Sequence, residues 1–251
     1  MNPEVRITGL RAPADIPPGL DLARTIIEAA QAQGLTLTSG DIIVVTSKIV
    51  SKAEGQLVDL DSVTPSPFAE QIGRAHDRDP RLMELVLRES RRVVRMDQRT
   101  IITETKHGLV CANSGVDQSN VRGASIAALL PADADASAKK LRQSLREHTG
   151  ADVAVIISDT FGRPWREGFT NVAIGVAGME PLKDYRGMRD TEGQVLQATI
   201  LAVADELASA AELVMGKVDG IPIAVIRGYP YTPGEGSAAK IIRSRETDLF
   251  R

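Results

Sequence analysis

Three short stretches carry residues that could do chemistry together. They are Thr46-Ser47-Lys48 with Lys52, then Ser114-Gly115-Val116-Asp117-Gln118-Ser119-Asn120, then Asp159-Thr160 with Arg163 and Arg166. Each follows an apolar run, and strand ends are where a rigid scaffold presents functional loops. Aspartate and threonine oxygens are hard ligands that suit Mg²⁺ or Mn²⁺, ions that bind through a few carboxylates plus phosphates. The lysines and arginines would hold those phosphates. Taken singly, each loop has an ordinary explanation: Asp117 and Asp159 as caps of turns or helices, Lys48 and Lys52 as solvated cations. Taken together they point to metal-assisted phosphate chemistry. In SDTFGRPW, residues 158–165, Gly162 and Pro164 already suffice for a turn, so the acid, the threonine and the arginine beside them are surplus to it.

The elements that must position these loops follow from patterning. Val5-Arg6-Ile7 reads as a strand ending at Gly9, and a proline-rich loop leads to a helix from about Asp21 to Gly34. Ile42–Val45, Val153–Ile157 and Ile223–Ile226 are continuous apolar runs of strand length, the pattern of strands covered on both faces. Pro65 and Pro67 introduce one helix and Asp79-Pro80 another. Val93–Met96, Ile101–Thr105 and Leu109–Ala112 read as short strands. Ser137 is the expected cap of a helix running to about His148. SDTFGRPW reads as a loop and a long glycine-rich stretch follows to Gly193, then a helix from Thr199 to about Met215 with Leu201, Ala204, Leu207, Ala211 and Leu213 on its apolar positions. Ser237 would cap a last short helix. Strands and helices do not alternate strictly, so the order suits an α+β fold at least as well as a regular parallel one.

Composition narrows the function classes. A net charge of -3 and only 3% aromatic residues leave neither a basic field nor a base-stacking platform, so no nucleic-acid partner is expected. No apolar run approaches the ~18 residues that span a bilayer, and the N-terminus lacks the continuous apolar core of a signal peptide; the expected location is the cytoplasm, with no membrane partner. The single cysteine, Cys111, reads as a buried, inert thiol.

Familiar motifs fail. Gly216-Lys217 resembles the end of a P-loop, but Ala211 and Val218 replace its first glycine and its metal-binding hydroxyl. Gly234–Ala239 fits G-x-G-x-x-A, yet the chain ends before an acidic ribose partner could follow. His76, His107 and His148 are scattered, so a zinc site is not expected. The arginines at 81, 88, 91, 92, 95 and 99 are diluted by Glu84, Glu89 and Asp97 and read as an ion-paired face.

At the same loops the chain resembles a known family, the coenzyme F420-0:L-glutamate ligases, or F420 gamma-glutamyl ligases. The similar stretches are GDIIVVTSKIVSKAEG at 40–55, HGLVCANSGVDQSNV at 107–121, ISDTFGRPWREGFTNVAIGVAG at 157–178, AVADELASAAELVMGK at 202–217 and IAVIRG at 223–228. The resemblance covers essentially the whole chain, 1–251, as one ligase domain without the nitroreductase-like domain fused to some bacterial relatives. It implies an α+β fold of two intertwined subdomains of mixed sheet and helices, usually a homodimer. The implied reaction is GTP-dependent addition of L-glutamate to F420-0 or its dehydro precursor through an acyl phosphate, then extension of a gamma-linked tail. Mg²⁺ or Mn²⁺ is implied, with K⁺ as a further cation. The resemblance puts Asp117, Asp159 and Thr160 at metal positions. Around GTP it puts Leu10, Arg11, Ala12, Pro13, Ser47, Lys48, Lys52, Asn120, Met215, Gly216, Lys217, Val218, Asp219, Gly220, Ile221 and Pro222. Lys217 departs from relatives that carry a metal-binding glutamine there, since an ammonium group coordinates no cation. Arg163 and Arg166, on their residue type alone, are expected to neutralise the transferring phosphate or to hold the substrate's phosphodiester. Two other readings fit the same loops: a related metal- and nucleotide-dependent carboxylate–amine ligase on another substrate, and a non-catalytic coenzyme-binding protein.

Overall fold

The structure is a computed structural model in which residues 3–13, 15–97, 100–118 and 125–249 are described. In chain order the elements are β1 (Arg6–Leu10), α1 (Leu22–Ala32), β2 (Ile42–Thr46), α2 (Ser47–Ala53), β3 (Leu57–Asp59), α3 (Pro67–His76), α4 (Pro80–Arg88), β4 (Ser90–Met96), β5 (Ile101–Thr105), β6 (Val110–Ala112), β7 (Ile126–Ala128), α5 (Ala134–Thr149), β8 (Ala154–Arg163), β9 (Arg166–Ala177), β10 (Lys183–Asp184), β11 (Ile200–Leu201), α6 (Val203–Met215) and β12 (Ile223–Arg227). This is the α+β class expected. Local chemistry sets the helix starts. Asp21, Ser66 and Asp79 each accept a hydrogen bond from the first turn they precede, and Pro67 and Pro80 open their helices where no N–H is needed. For α5 the cap is Asp133, not Ser137. Ser137 sits one turn inside, and its hydroxyl bonds back to the Asp133 carbonyl.

The central sheet has the order β1-β12-β2-β8-β9, with β2 and β8 parallel and every other neighbour antiparallel. Alternation along β2 and β8 sends Ile43, Val45, Val155 and Ile157 into a core with α1 and α5. Ile42, Val44, Ala154 and Ile156 enter a second core against α6. Both faces are covered, which is why these strands read as unbroken apolar runs. After α2 the chain leaves this layer, builds a third core from Leu60, Ile72, Met83, Val86, Ile101 and Ala127, and returns at α5. Of the arginines expected on an ion-paired face, Arg81 pairs with Asp61 and Asp79, Arg88 with Glu84 and Arg92 with Glu104, and Arg99 lies outside the described residues.

Further expectations need correction. The stretch 158–165 is not a loop, because β8 continues through it and pairs with β9, Asp159 opposite Val172, Thr160 opposite Asn171 and Gly162 opposite Phe169. One of the glycines that disguised β9, Gly175, serves packing. A Cβ at Gly175 would stand 2.3 Å from the Ala134 carbonyl oxygen, where α5 starts against the strand. The outer N–H groups of this edge strand are closed off, Ala173 donating to Asp205 and Val176 to Asp135. The last long helix begins at Val203 rather than Thr199, since Ile200 and Leu201 pair with β10. On α6, Ala204, Leu207, Ala208, Ala211 and Met215 face the core. Leu213, two residues and thus about 200° from Ala211, is 85% exposed.

Candidate active site

The sheet order brings the expected loops to one end. The C-terminal ends of β1 and β2 lie beside the N-terminal end of β12 and the middle of β8, as the pairs Leu10 to Ile223, Ile223 to Val45 and Thr46 to Ser158 record. Side by side and parallel, β2 and β8 deliver Ser47-Lys48 and Asp159 to the same place. Asp117 comes from the part of the chain that builds the third core, held by a two-way backbone bridge to Ala128.

Around Asp159 the contacts are short. The Ser47 hydroxyl donates to Asp159 Oδ1 at 2.9 Å, and Lys48 Nζ donates to Asp117 Oδ2 at 2.6 Å. Burial pushes the Asp159 carboxyl up to about 6, with the nearby charge of Asp117 adding to it; Ser47, the Thr160 N–H and Lys48 act in the opposite direction. Two neighbouring carboxylates, one of them desolvated, form a hard oxygen pair that a divalent cation would stabilise. Among the described residues no group of three or more His, Cys, Asp or Glu side chains is gathered as a metal cluster. Cys111 is buried, and burial together with the Asp159 charge pushes its thiol up to about 12. It is inert at neutral pH.

Thr160 behaves differently. Successive residues of a strand point to opposite faces, so its hydroxyl leaves the Asp117–Asp159 pair and joins a second polar group on the α6 side. It donates to Asn171 Oδ1 at 2.8 Å, while Lys217 Nζ donates to Thr160 Oγ1 at 2.7 Å and to Asn171 Oδ1 at 3.3 Å. Glu212 completes this group, accepting from Asn171 Nδ2 at 2.9 Å and lying 3.0 Å from Lys217 Nζ. Asn171 and Glu212 lie inside two of the stretches that carry the family resemblance, yet nothing in their type or spacing links them to Thr160; only the β9 register and the α6 face bring them together.

The remaining expected residues divide clearly. Leu10 is fully buried, Ala12 packs on the α1/α5 core, and Arg11 Nη1 donates to the Asp219 carbonyl at 2.9 Å, joining the 10–13 and 215–222 segments. Pro13 is exposed. Met215 is buried at the end of α6, Gly216, Lys217, Val218, Asp219 and Gly220 form an exposed loop, and Ile221 and Pro222 are half-buried. Gly216 has φ +59, and a Cβ there would meet the Asp219 carboxylate at 2.3 Å, so this turn requires glycine. The Pro222 carbonyl accepts from Thr46 N–H at 3.0 Å, tying the loop to the start of α2. Lys52 lies one turn after Lys48 on the same face of α2. Arg163 and Arg166 sit at the tip of the β8–β9 hairpin, about 13 Å along the strand from Asp159. Asn120 lies outside the described residues.

The fold and this site define an α+β protein with paired carboxylates and lysines at one end of a mixed sheet. The family model for F420-0:Gamma-glutamyl ligase matches residues 9–228. The coenzyme F420:L-glutamate ligase of Methanothermobacter thermautotrophicus is 49% identical over 236 residues, covering 93% of each chain. That of Methanopyrus kandleri is 46% identical over 254 residues, covering 99% of this chain and 98% of the relative. That of Methanocaldococcus jannaschii is 45% identical over 217 residues, covering 86% of each. The chain belongs to the F420-0:gamma-glutamyl ligase family.

Proposed function

We propose that this protein is a ligase that joins L-glutamate to coenzyme F420-0, or to its dehydro precursor, at the expense of GTP. The observation that carries the reading is the meeting of Asp159 and Asp117 with Ser47 and Lys48 at one end of the sheet. Membership of the ligase family and the names of relatives 45–49% identical support it.

The reaction balances as follows. An oxygen of the lactyl carboxylate attacks the γ-phosphorus of GTP and GDP leaves, giving an acyl phosphate. The α-amine of glutamate then attacks the acyl carbon, phosphate leaves, and the amine loses a proton to yield the amide. Repetition on the γ-carboxylate of the attached glutamate extends the tail. Asp117 and Asp159 would hold Mg²⁺ or Mn²⁺, which offsets charge on the transferring phosphoryl group when bound. Lys48 and Lys52 lie one turn apart and serve the phosphates, the first after exchanging its contact with Asp117. The 10–13 and 215–222 segments hold the nucleoside. Ser47 fixes the orientation of the Asp159 carboxylate. A homodimer and a K⁺ requirement belong to the same reading.

The test is direct. With F420-0, GTP, Mn²⁺ and glutamate, mass spectrometry should find the coenzyme heavier by whole glutamyl units and an equal yield of GDP. An unchanged coenzyme mass would overturn the reading. Replacing GTP by ATP without loss of rate would overturn the nucleotide assignment.

A further inference from the structure

A cavity of about 230 Å³ lies between the β5–β6 turn at Gly108, the β8–β9 ribbon, the first turn of α6 and the chain from Ala238 onward. Its walls are mostly apolar, Phe161, Val172, Ile241 and Ile242 among them, with Asp205 and Arg243 as the charged groups. The wall made by residues 241–243 is anchored on both sides. Before it, Asp135 accepts from the Ser237 hydroxyl at 2.6 Å and from the Ala238 N–H at 2.9 Å. After it, Arg245 lies 3.4 Å from Glu104, a carboxylate only 3% exposed. Protein interiors leave few voids larger than a water molecule. An apolar hollow with charged groups of both signs is the usual form of a ligand site. Whole ligands of drug size occupy about 300–1,000 Å³, so this space takes one part of a larger molecule.

Strand register sets the cavity beside the reacting groups. Val172 is the cross-strand partner of Asp159 and shares its face, with Cβ atoms about 5 Å apart. Phe161 stands on that face too, two residues or about 7 Å further along β8. β9 flanks β8 on the side away from β2, β12 and β1, whose ends carry the residues assigned to the nucleotide. A molecule whose carboxylate reacts at Asp159 therefore extends over Val172 into the cavity. The lining does not suit glutamate, which would bring two carboxylates to one arginine beside an aspartate. It suits a planar heterocycle. Phe161 and the aliphatic walls cover the faces of such a ring. Asp205, whose Oδ1 accepts from the Ala173 N–H at 2.9 Å, offers further acceptor sites to its edge, and Arg243 offers donors.

We propose that this cavity receives the planar ring of the acceptor, with Phe161 against its face and Asp205 and Arg243 at its polar edge. This rests on the ligase reading above, which supplies an acceptor whose deazaflavin ring is joined through a phosphodiester to the reacting carboxylate. Guanine is also a planar ring with a polar edge, and the experiment separates the two.

The probes are F420-0 and the deazaflavin ring with its ribityl chain but no phosphate, each applied to the full-length protein in equilibrium dialysis. Both should bind wild type, the second displacing the first, and GTP with Mn²⁺ should displace neither. Ile241→Trp, which fills the cavity from its anchored wall, should weaken both probes at least tenfold. Asp205→Asn keeps an oxygen for the Ala173 N–H but removes the charge at the ring edge, and should weaken both about tenfold, the scale of one hydrogen bond to a charged group. GTP affinity should not move in either variant, a condition that a misfolded protein fails; if Ile241→Trp fails it, Asp205→Asn decides alone. Displacement of the phosphate-free ring by GTP would overturn the assignment. So would failure of that ring to bind, or unchanged affinity for F420-0 in Asp205→Asn. Binding of both probes that is lost in the variants, in a wild type that forms no glutamylated product, would leave the cavity assignment standing and remove the ligase reading.

Discussion

The two sides of β8 make different sites from adjacent residues. On the α2 side, Asp159 is held by Ser47 beside Asp117 and Lys48, and its carboxyl is pushed up to about 6 chiefly by burial. On the α6 side, Thr160 lies in a chain of neutral and charged groups organised by Lys217, whose side chain is 56% exposed. The first side gathers two carboxylates, one of them buried, around the single ammonium group of Lys48, and so suits a further cation. The second already contains its own cation. A strand can therefore divide neighbouring residues between two environments, and sequence adjacency says nothing about shared ligands.

The sharpest way to break this contrast is Asp159→Asn. The amide keeps the size and can still accept from Ser47, but the charge is gone. Turnover should fall by roughly 10²-fold or more, the scale of losing one electrostatic stabiliser, and Mn²⁺ affinity should fall with it. The melting temperature should hold or rise, because a desolvated charge has been removed. Full activity with full metal affinity would take Asp159 out of the site.

Leu207→Ala tests whether the α6 side depends on packing. Leu207 is 5% exposed in the core under α6, so its truncation should cost about 2–5 kcal/mol in denaturant unfolding. Leu213→Ala on the same helix, at a position 85% exposed, should stay within about 0.5 kcal/mol. Equal losses would mean that the helix is not amphipathic in the way described.

Lys52→Ala should weaken GTP binding severalfold in titration calorimetry, about the loss of one charge-assisted contact, while the melting temperature hardly changes. Unaltered nucleotide affinity would return Lys52 to an ordinary surface lysine. The smallest effect belongs to Lys217→Gln. The amide can still donate to Thr160 and Asn171 but gives up the exposed pair with Glu212, so stability should change by less than about 1 kcal/mol. Charge on the α6 side does change, and the number of Mn²⁺ ions bound, counted by equilibrium dialysis, is expected to rise. An unchanged count would show that Lys217 is not what keeps a cation from that side.

Local physical chemistry determined much of this protein in advance. The runs at 42–45, 153–157 and 223–226 had to be buried strands, because unbroken apolar residues of that length need cover on both faces. Asp21, Ser66 and Asp79 had to start helices, because each supplies an acceptor to otherwise unpaired N–H groups. The ligase resemblance was legible as well, since the stretches that carry it are continuous in the chain. Tertiary structure decided the rest. β9 was hidden because its outer half is exposed and its inner half buried on both faces, so no period of two survives to be read. Asn171, Glu212 and Lys217 are far from Thr160 in sequence, and only the β8–β9 register and the docking of α6 assemble them. Which face each residue of the Asp159-Thr160 pair would serve was also open, because alternation fixes that two neighbours diverge but not what the fold places opposite each of them.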